Sequence, residues 1–178
     1  MDSASLLTFA TAMFTILNPF GNVAIFAGMT ADRSAGNRRK IAIKCAIAIA
    51  VILIGTIWLG EAVLHFFGVD THSLQVAGGI MIATIALSML NSKQSTIHNS
   101  KPEEKTSLSD ADQDIAIVPL AMPMVAGPGA IVTVIVNTHS HTGLVANVEM
   151  SIVCVILAAM IGAGFLATKL VTRILGRK

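Results

Sequence analysis

Asn18-Pro19-Phe20-Gly21-Asn22 interrupts an apolar run that extends from residue 4 to residue 29. Proline lacks a backbone donor, clashes with the turn before it and pushes its predecessor out of the α region. Glycine adds the freedom to unwind. The surrounding run is long enough to cross a bilayer core, which takes about 20 apolar residues. A break at membrane depth frees amides and carbonyls that are costly unless they face protein or a wet cavity. This segment therefore reads as a membrane helix opened in its middle.

Similar runs follow at residues 41–67, 72–91, 115–137 and 146–170. They are apolar all round and lack the period-two alternation of barrel strands, so five transmembrane helices are expected. Composition agrees: of 178 residues, 54% are hydrophobic and 12% charged, and the mean hydropathy is +0.76. Soluble domains carry roughly twice that charged fraction. So much apolar side chain needs lipid as a partner. With no Tyr and a single Trp, the usual aromatic belt is nearly missing. The start of the chain has no positive segment or small-residue cleavage site, so no cleaved signal peptide is expected.

The twelve basic residues fall into three groups. Arg33, Arg38, Arg39, Lys40 and Lys44 follow the first span. Lys93, Lys101 and Lys105 follow the third, and Lys169, Arg173, Arg177 and Lys178 follow the fifth. Five spans put all three groups on one side, and the opposite loops, 68–73 and 138–147, hold none. The positive-inside rule then makes the basic side cytoplasmic and the N-terminus external, as in a bacterial or archaeal inner membrane. Residues 92–114 are polar, with both charge signs and Pro102, and read as a cytoplasmic linker between two halves.

The fourth span carries Pro119, Pro123 and then Gly127-Pro128-Gly129. Laying Pro19 on Pro128 sets an offset of 109 residues, which carries Ile41 onto Met150 and Asp70 onto position 179. The chain thus divides into a first three-span repeat (1–91), the linker (92–114) and an incomplete second repeat (115–178), with the last span missing. A unit with an odd number of spans inserts upside down when repeated. Paired interrupted helices in inverted repeats point to a midplane binding site of a secondary transporter. Restarting helix ends offer positive dipoles and free amides to a carboxylate, and unwound carbonyls could hold Na⁺ or accept from an ammonium group. The residues expected to bind solute are Asn18, Pro19, Gly21, Asn22, Gly127, Pro128, Gly129 and Thr133. The plainer reading is that they only kink helices.

Glu61, within the second span, could bind H⁺ or Na⁺ or simply be solvated near the outer interface. Gly78 and Gly79, with Gly55, Gly162 and Gly164, are expected to allow close helix packing. Cys45 and Cys154 read as packing residues. Lys44 is expected to snorkel to the interface. His65, His72, His139 and His141 gather on the outer side, but no ligand set completes a metal site. No nucleophile elbow or phosphate loop is present, which argues against an enzyme. The basic residues are juxtamembrane, which argues against nucleic acid. The expected partners are membrane lipid and a small solute, and a second copy of the chain could cover the exposed repeat face. No cofactor is implied beyond the coupling ion.

Asn18-Pro19-Phe20-Gly21-Asn22, the Gly78-Gly79 pair in Val76-Ala77-Gly78-Gly79-Ile80, and Ile117-Val118-Pro119-Leu120-Ala121-Met122-Pro123 followed by Ala126-Gly127-Pro128-Gly129-Ala130 resemble the MarC family of membrane proteins. These motifs occur in order across almost the whole chain. The resemblance implies a six-span inner-membrane protein. Through similarity to an archaeal member, it implies cation-coupled uptake of glycine, alanine and other small neutral amino acids. A passive channel and a non-transporting scaffold or regulator are the competing readings.

Overall fold

The computed structural model describes residues 1–30, 33–90 and 125–168. The linker 92–114, Pro119, Pro123, Asn91 and the basic residues Lys93, Lys101, Lys105, Lys169, Arg173, Arg177 and Lys178 lie outside the described residues. Every described element is a helix: α1 (Ser3–Leu17), α2 (Pro19–Met29), α3 (Ala35–Phe66), α4 (Thr71–Leu90), α5 (Pro128–Ser140) and α6 (Leu144–Leu166). Among the described residues, three stretches are long and apolar enough to cross a membrane, Ser3–Met29, Ala35–Phe66 and Leu144–Leu166.

Two boundaries differ from the sequence reading. The helix expected at 41 starts at Ala35, because Ser34 accepts from the Asn37 N–H and caps it. Arg38, Arg39 and Lys40 therefore ride on the first turns of α3 rather than in a loop. They are good helix formers, so the helix extends past its apolar part. The helix expected to end at 137 continues to Ser140, which places His139 in its last turn.

The core is built from ridges at four-residue spacing. Ile41, Cys45, Ile49, Leu53 and Ile57 form the buried stripe of α3, and Met150, Cys154, Ala158 and Gly162 that of α6. Such i, i+4 rows interdigitate when helices cross, and among the described residues α3 with α6 is the most extensive pair. Phe9, Met13 and Leu17 add the stripe of α1, and Phe26 of α2 stacks on Phe165 of α6 at 4.3 Å between ring centres.

Glycine sets the closest approaches. A Cβ on Gly162 would come within 2.7 Å of the Ala46 Cβ, and one on Gly164 within 2.7 Å of Val23 Cγ2. A Cβ on Gly78 would overlap Val132, and one on Gly60 would lie 2.8 Å from Ile135 Cγ1. Among the described residues, Gly55 and Gly79 meet nothing within 4 Å. Away from the core, only a third of the apolar window of each crossing stretch is buried, and Ile47, Val51, Ile152 and Ile156 are all more than half exposed. Side chains of this kind on a 178-residue chain call for a lipid surround.

Candidate functional site

The first break is one residue wide. α1 stops at Leu17 and α2 restarts at Pro19, with Asn18 between them at φ 40°, ψ 66°. Among the described residues, Asn18 is the only non-glycine with positive φ, a region in which Asn is the best tolerated alternative to Gly. The Asn18 N–H donates to the Phe14 carbonyl, and the Asn22 N–H donates to the Asn18 carbonyl, both at 3.1 Å. Asn18 Oδ1 accepts from the Gly21 N–H at 3.2 Å and caps α2. The Asn22 Nδ2 amide, buried, donates to the Leu17 carbonyl at 2.6 Å.

These bonds correct the expectation of an unwound stretch over 18–22. Two asparagines close most of the break from within, as buried backbone groups require. Gly21 has a local reason to be glycine: a Cβ there would collide with the folded-back Asn18 amide. Two backbone groups at this break are left without their regular helix partner by stereochemistry alone, and one side-chain donor stands beside them. Pro19 has no N–H to give to the Thr15 carbonyl. The Phe20 N–H belongs to the unpaired first turn of α2. The Asn18 side chain keeps its NH₂ donors while its oxygen is engaged.

The second break begins α5. Gly127 precedes it in an extended conformation with no side-chain cap, and its carbonyl accepts from Ala130 at 2.9 Å and Ile131 at 3.2 Å. Pro128 occupies the first helical position, where its missing donor costs nothing. The Gly129 N–H is left in the uncapped first turn. Thr133 Oγ1 donates to the Gly129 carbonyl at 2.8 Å, and Asn137 Nδ2 to the Thr133 carbonyl at 2.8 Å. Gly129 is buried. A Cβ on it would sit 3.7 Å from Ile16 of α1 and 3.6 Å from Ile82 of α4. Ile16 is two residues before Asn18, so the second break lies against the last turn before the first.

Glu61 is elsewhere. Its Oε1 lies 3.2 Å from Nδ1 of His139, and both side chains are 43% exposed. The pair joins α3 to α5 one turn beyond the Gly60–Ile135 approach. His139 as the partner was missed in the sequence. The signal was there in retrospect, since residues 60 and 61 meet residues 135 and 139, which share one face of a helix. At this same end, the Met1 amino group lies 2.7 Å from Glu149 at the start of α6. Asp2 caps α1, and its hydrogen bonds from Ser5 hold its carboxyl below the ordinary aspartate value. At the other end Arg38 Nη2 donates to the Thr30 carbonyl at 2.8 Å. The residues expected in the outer loops thus gather at one end, and the described basic group belongs to the other.

Comparison with known proteins bears on the whole chain. A family model described as MarC family integral membrane protein matches residues 3–178. The chain is 37% identical over 135 residues to the UPF0056 membrane protein YhcE of Escherichia coli, covering 75% of this chain and 62% of that one. It is 38% identical over 133 residues to the UPF0056 membrane protein YvbG of Bacillus subtilis, covering 75% and 63%. It is 33% identical over 178 residues to a UPF0056 membrane protein of Buchnera aphidicola, covering 99% and 81%. The matches to the first two thus span less than two-thirds of those relatives' length. No solved structure matches the chain. With matching motifs, apolar helices and relatives aligned along its length, the chain belongs to the MarC family of integral membrane proteins.

Proposed function

We propose that this protein is a secondary transporter of small solutes, small neutral amino acids in particular, working through a site where its two broken helices meet. The observation that carries this reading is the approach of Ile16 to Gly129, where a Cβ would lie 3.7 Å from the Ile16 side chain, so that the uncapped start of α5 lies near the last turn before the break between α1 and α2. Both restarting helices present first-turn amides, from Phe20 and Gly129, and the positive end of a dipole suits a carboxylate. The Thr15 carbonyl and the Thr133 oxygen offer acceptors to an ammonium group or to Na⁺. A zwitterion would be held without a charged side chain at membrane depth, where such a group is expensive.

The packing supports an inverted repeat. Under the 109-residue offset, α2 falls on α5 and α3 on α6. The contact of α3 with α5 then has its counterpart in the contact of α6 with α2. Ile135, which approaches Gly60, falls on Phe26, which stacks on Phe165, one turn before the position that Gly60 falls on. In this reading the Lys/Arg-rich end is cytoplasmic. Glu61, paired with His139 at the outer end, is the candidate for ion coupling, and a second copy of the chain could cover the remaining repeat face.

The test is counterflow of labelled alanine and glycine in proteoliposomes, with and without Na⁺ and H⁺ gradients. Asn18→Gly keeps the positive φ and removes the amide. Glycine is nearly as good an N-cap, so stability should change by only a few tenths of a kcal/mol. Losing one neutral hydrogen-bonding group should weaken solute affinity by about three- to ten-fold. Uptake of equal affinity in both proteins would overturn the site, and flux that shows no counterflow would turn the transporter into a channel.

A further inference from the structure

Laid over each other at the 109-residue offset, α3 and α6 agree position by position. The ridge Ile41, Cys45, Ile49 and Leu53 falls on Met150, Cys154, Ala158 and Gly162, all of them buried. Gly55 falls on Gly164, and on the partner helices Val23 of α2 falls on Val132 of α5. The contacts made by these matched positions are not the same. On α6, a Cβ at Gly164 would lie 2.7 Å from Val23 Cγ2, and Phe165 stacks on Phe26. On α3, a Cβ at Gly55 would have nothing within 4 Å among the described residues, Val132 included, and Val132 is seated instead against Gly78 of α4. Ile135, the counterpart of Phe26, is displaced as well. It lies against Gly60, one turn past Thr56, the counterpart of Phe165. Both differences fit a single offset: α5 sits one turn, about 5 Å, nearer the C-terminal end of α3 than α2 sits on α6. The contact of Glu61 with His139 at 3.2 Å belongs to this displaced register, since it joins residues just beyond Gly60 and Ile135.

We propose that the two repeats hold the two registers of a one-turn ratchet, and that the protein changes state when they exchange them. In the second state α5 slides back along α3. Ile135 moves from Gly60 to Thr56, Val132 leaves Gly78 for the open seat at Gly55, and the contact of Glu61 with His139 breaks. α2 makes the opposite step on α6 and leaves Gly164. Helix ridges mesh at turn intervals and clash between them, so such a pair has two seats and no stable midpoint. The slide carries Gly129 past Ile16 by the same step, and so moves the start of α5 relative to the break at Asn18. A site between them then opens to one end of the molecule or to the other, which is how inverted repeats give alternating access. The proposal rests on the reading of the breaks as a solute site, but the slide itself is measured without uptake.

The experiment is copper-phenanthroline oxidation of double-cysteine variants of the full chain in native membranes, with the linked peptides measured by mass spectrometry. Cys45 and Cys154 are buried, and the oxidised parent chain sets their background. A disulfide needs Cβ atoms about 4 Å apart. Glu61→Cys with His139→Cys traps the register seen here. Gly55→Cys with Val132→Cys traps the second register, and Val51→Cys with Val132→Cys, one turn further along α3, is the collision control. Both register pairs should link, and the Gly55 pair should link several times more than the control. Glu61→Gln should raise the yield of the Gly55 pair about two- to five-fold, the range of an exposed ion pair. A Gly55 pair that links no more than the control would overturn the ratchet, and so would a yield indifferent to Glu61→Gln. Gly55→Ala fills the open seat. It should keep the unfolding midpoint and slow counterflow about ten-fold, as overpacking of the second state requires. The two readings fail separately. Linking of the Gly55 pair in a protein that takes up nothing would leave the ratchet standing and remove the transporter. Uptake by a protein whose Gly55 pair never links would do the reverse.

Discussion

Asn22 holds the first break closed. Its amide is buried and reaches the Leu17 carbonyl at 2.6 Å, a carbonyl whose regular helical donor would be the Gly21 N–H, which is turned instead to Asn18 Oδ1. Asn22→Ala should therefore cost about 1–3 kcal/mol, the usual consequence of leaving a buried polar group unpaired, seen as a lower midpoint of thermal unfolding in detergent. Asn22→Asp should be worse, because a carboxylate can only accept. Gly21→Ala acts through a different atom. Its Cβ evicts the Asn18 amide and removes the cap, with an expected loss of about 1 kcal/mol. A Gly21→Ala protein as stable as the parent would show that the cap does not hold the turn. The break itself was legible from Pro19 alone, since a missing N–H is a property of one residue. Its repair by Asn22 was not, because it depends on where a side chain five positions along points once α2 has formed.

Among the helices, glycine separates positions that must stay bare from positions that need not. Gly162 faces the Ala46 Cβ, which is fixed to the backbone of α3 and cannot swing aside. Gly162→Ala should push α3 from α6 at their most extensive contact and destabilise by about 1–3 kcal/mol. Gly55→Ala meets open space among the described residues and replaces a poor helix former, so it should be neutral or stabilising by up to about 1 kcal/mol. Unfolding midpoints measured side by side decide this, and equal losses at both sites would refute the packing argument. A list of glycines in apolar runs could not rank these positions. Gly60 shows the same limit: it admits Ile135 and so lets Glu61 reach His139.

At the scale of the molecule, two ends carry different chemistry. Arg33, Ser34 and Arg38 belong to one, and Glu61, His139 and the turn at Thr142 to the other. If the basic end is cytoplasmic, Thr142→Cys should react with an impermeant thiol reagent in intact cells and Ser34→Cys only after the membrane is permeabilised. The opposite pattern would invert the orientation. Such a protein should also remain in the membrane fraction after an alkaline carbonate wash, since its exposed aliphatic faces are stable only in lipid.

Composition, run length and the chemistry of proline determined that the chain lives in a membrane, that it is helical and that its first apolar run is opened at Pro19. Those are one-body properties: each residue contributes its transfer energy or its missing donor wherever it lies. Tertiary structure alone decided how narrow the first gap is, that the start of α5 at Gly129 lies near Ile16 of α1, and which glycines face a neighbour. Such facts are settled by packing between segments more than a hundred residues apart, where shape and direction matter and sequence spacing carries neither.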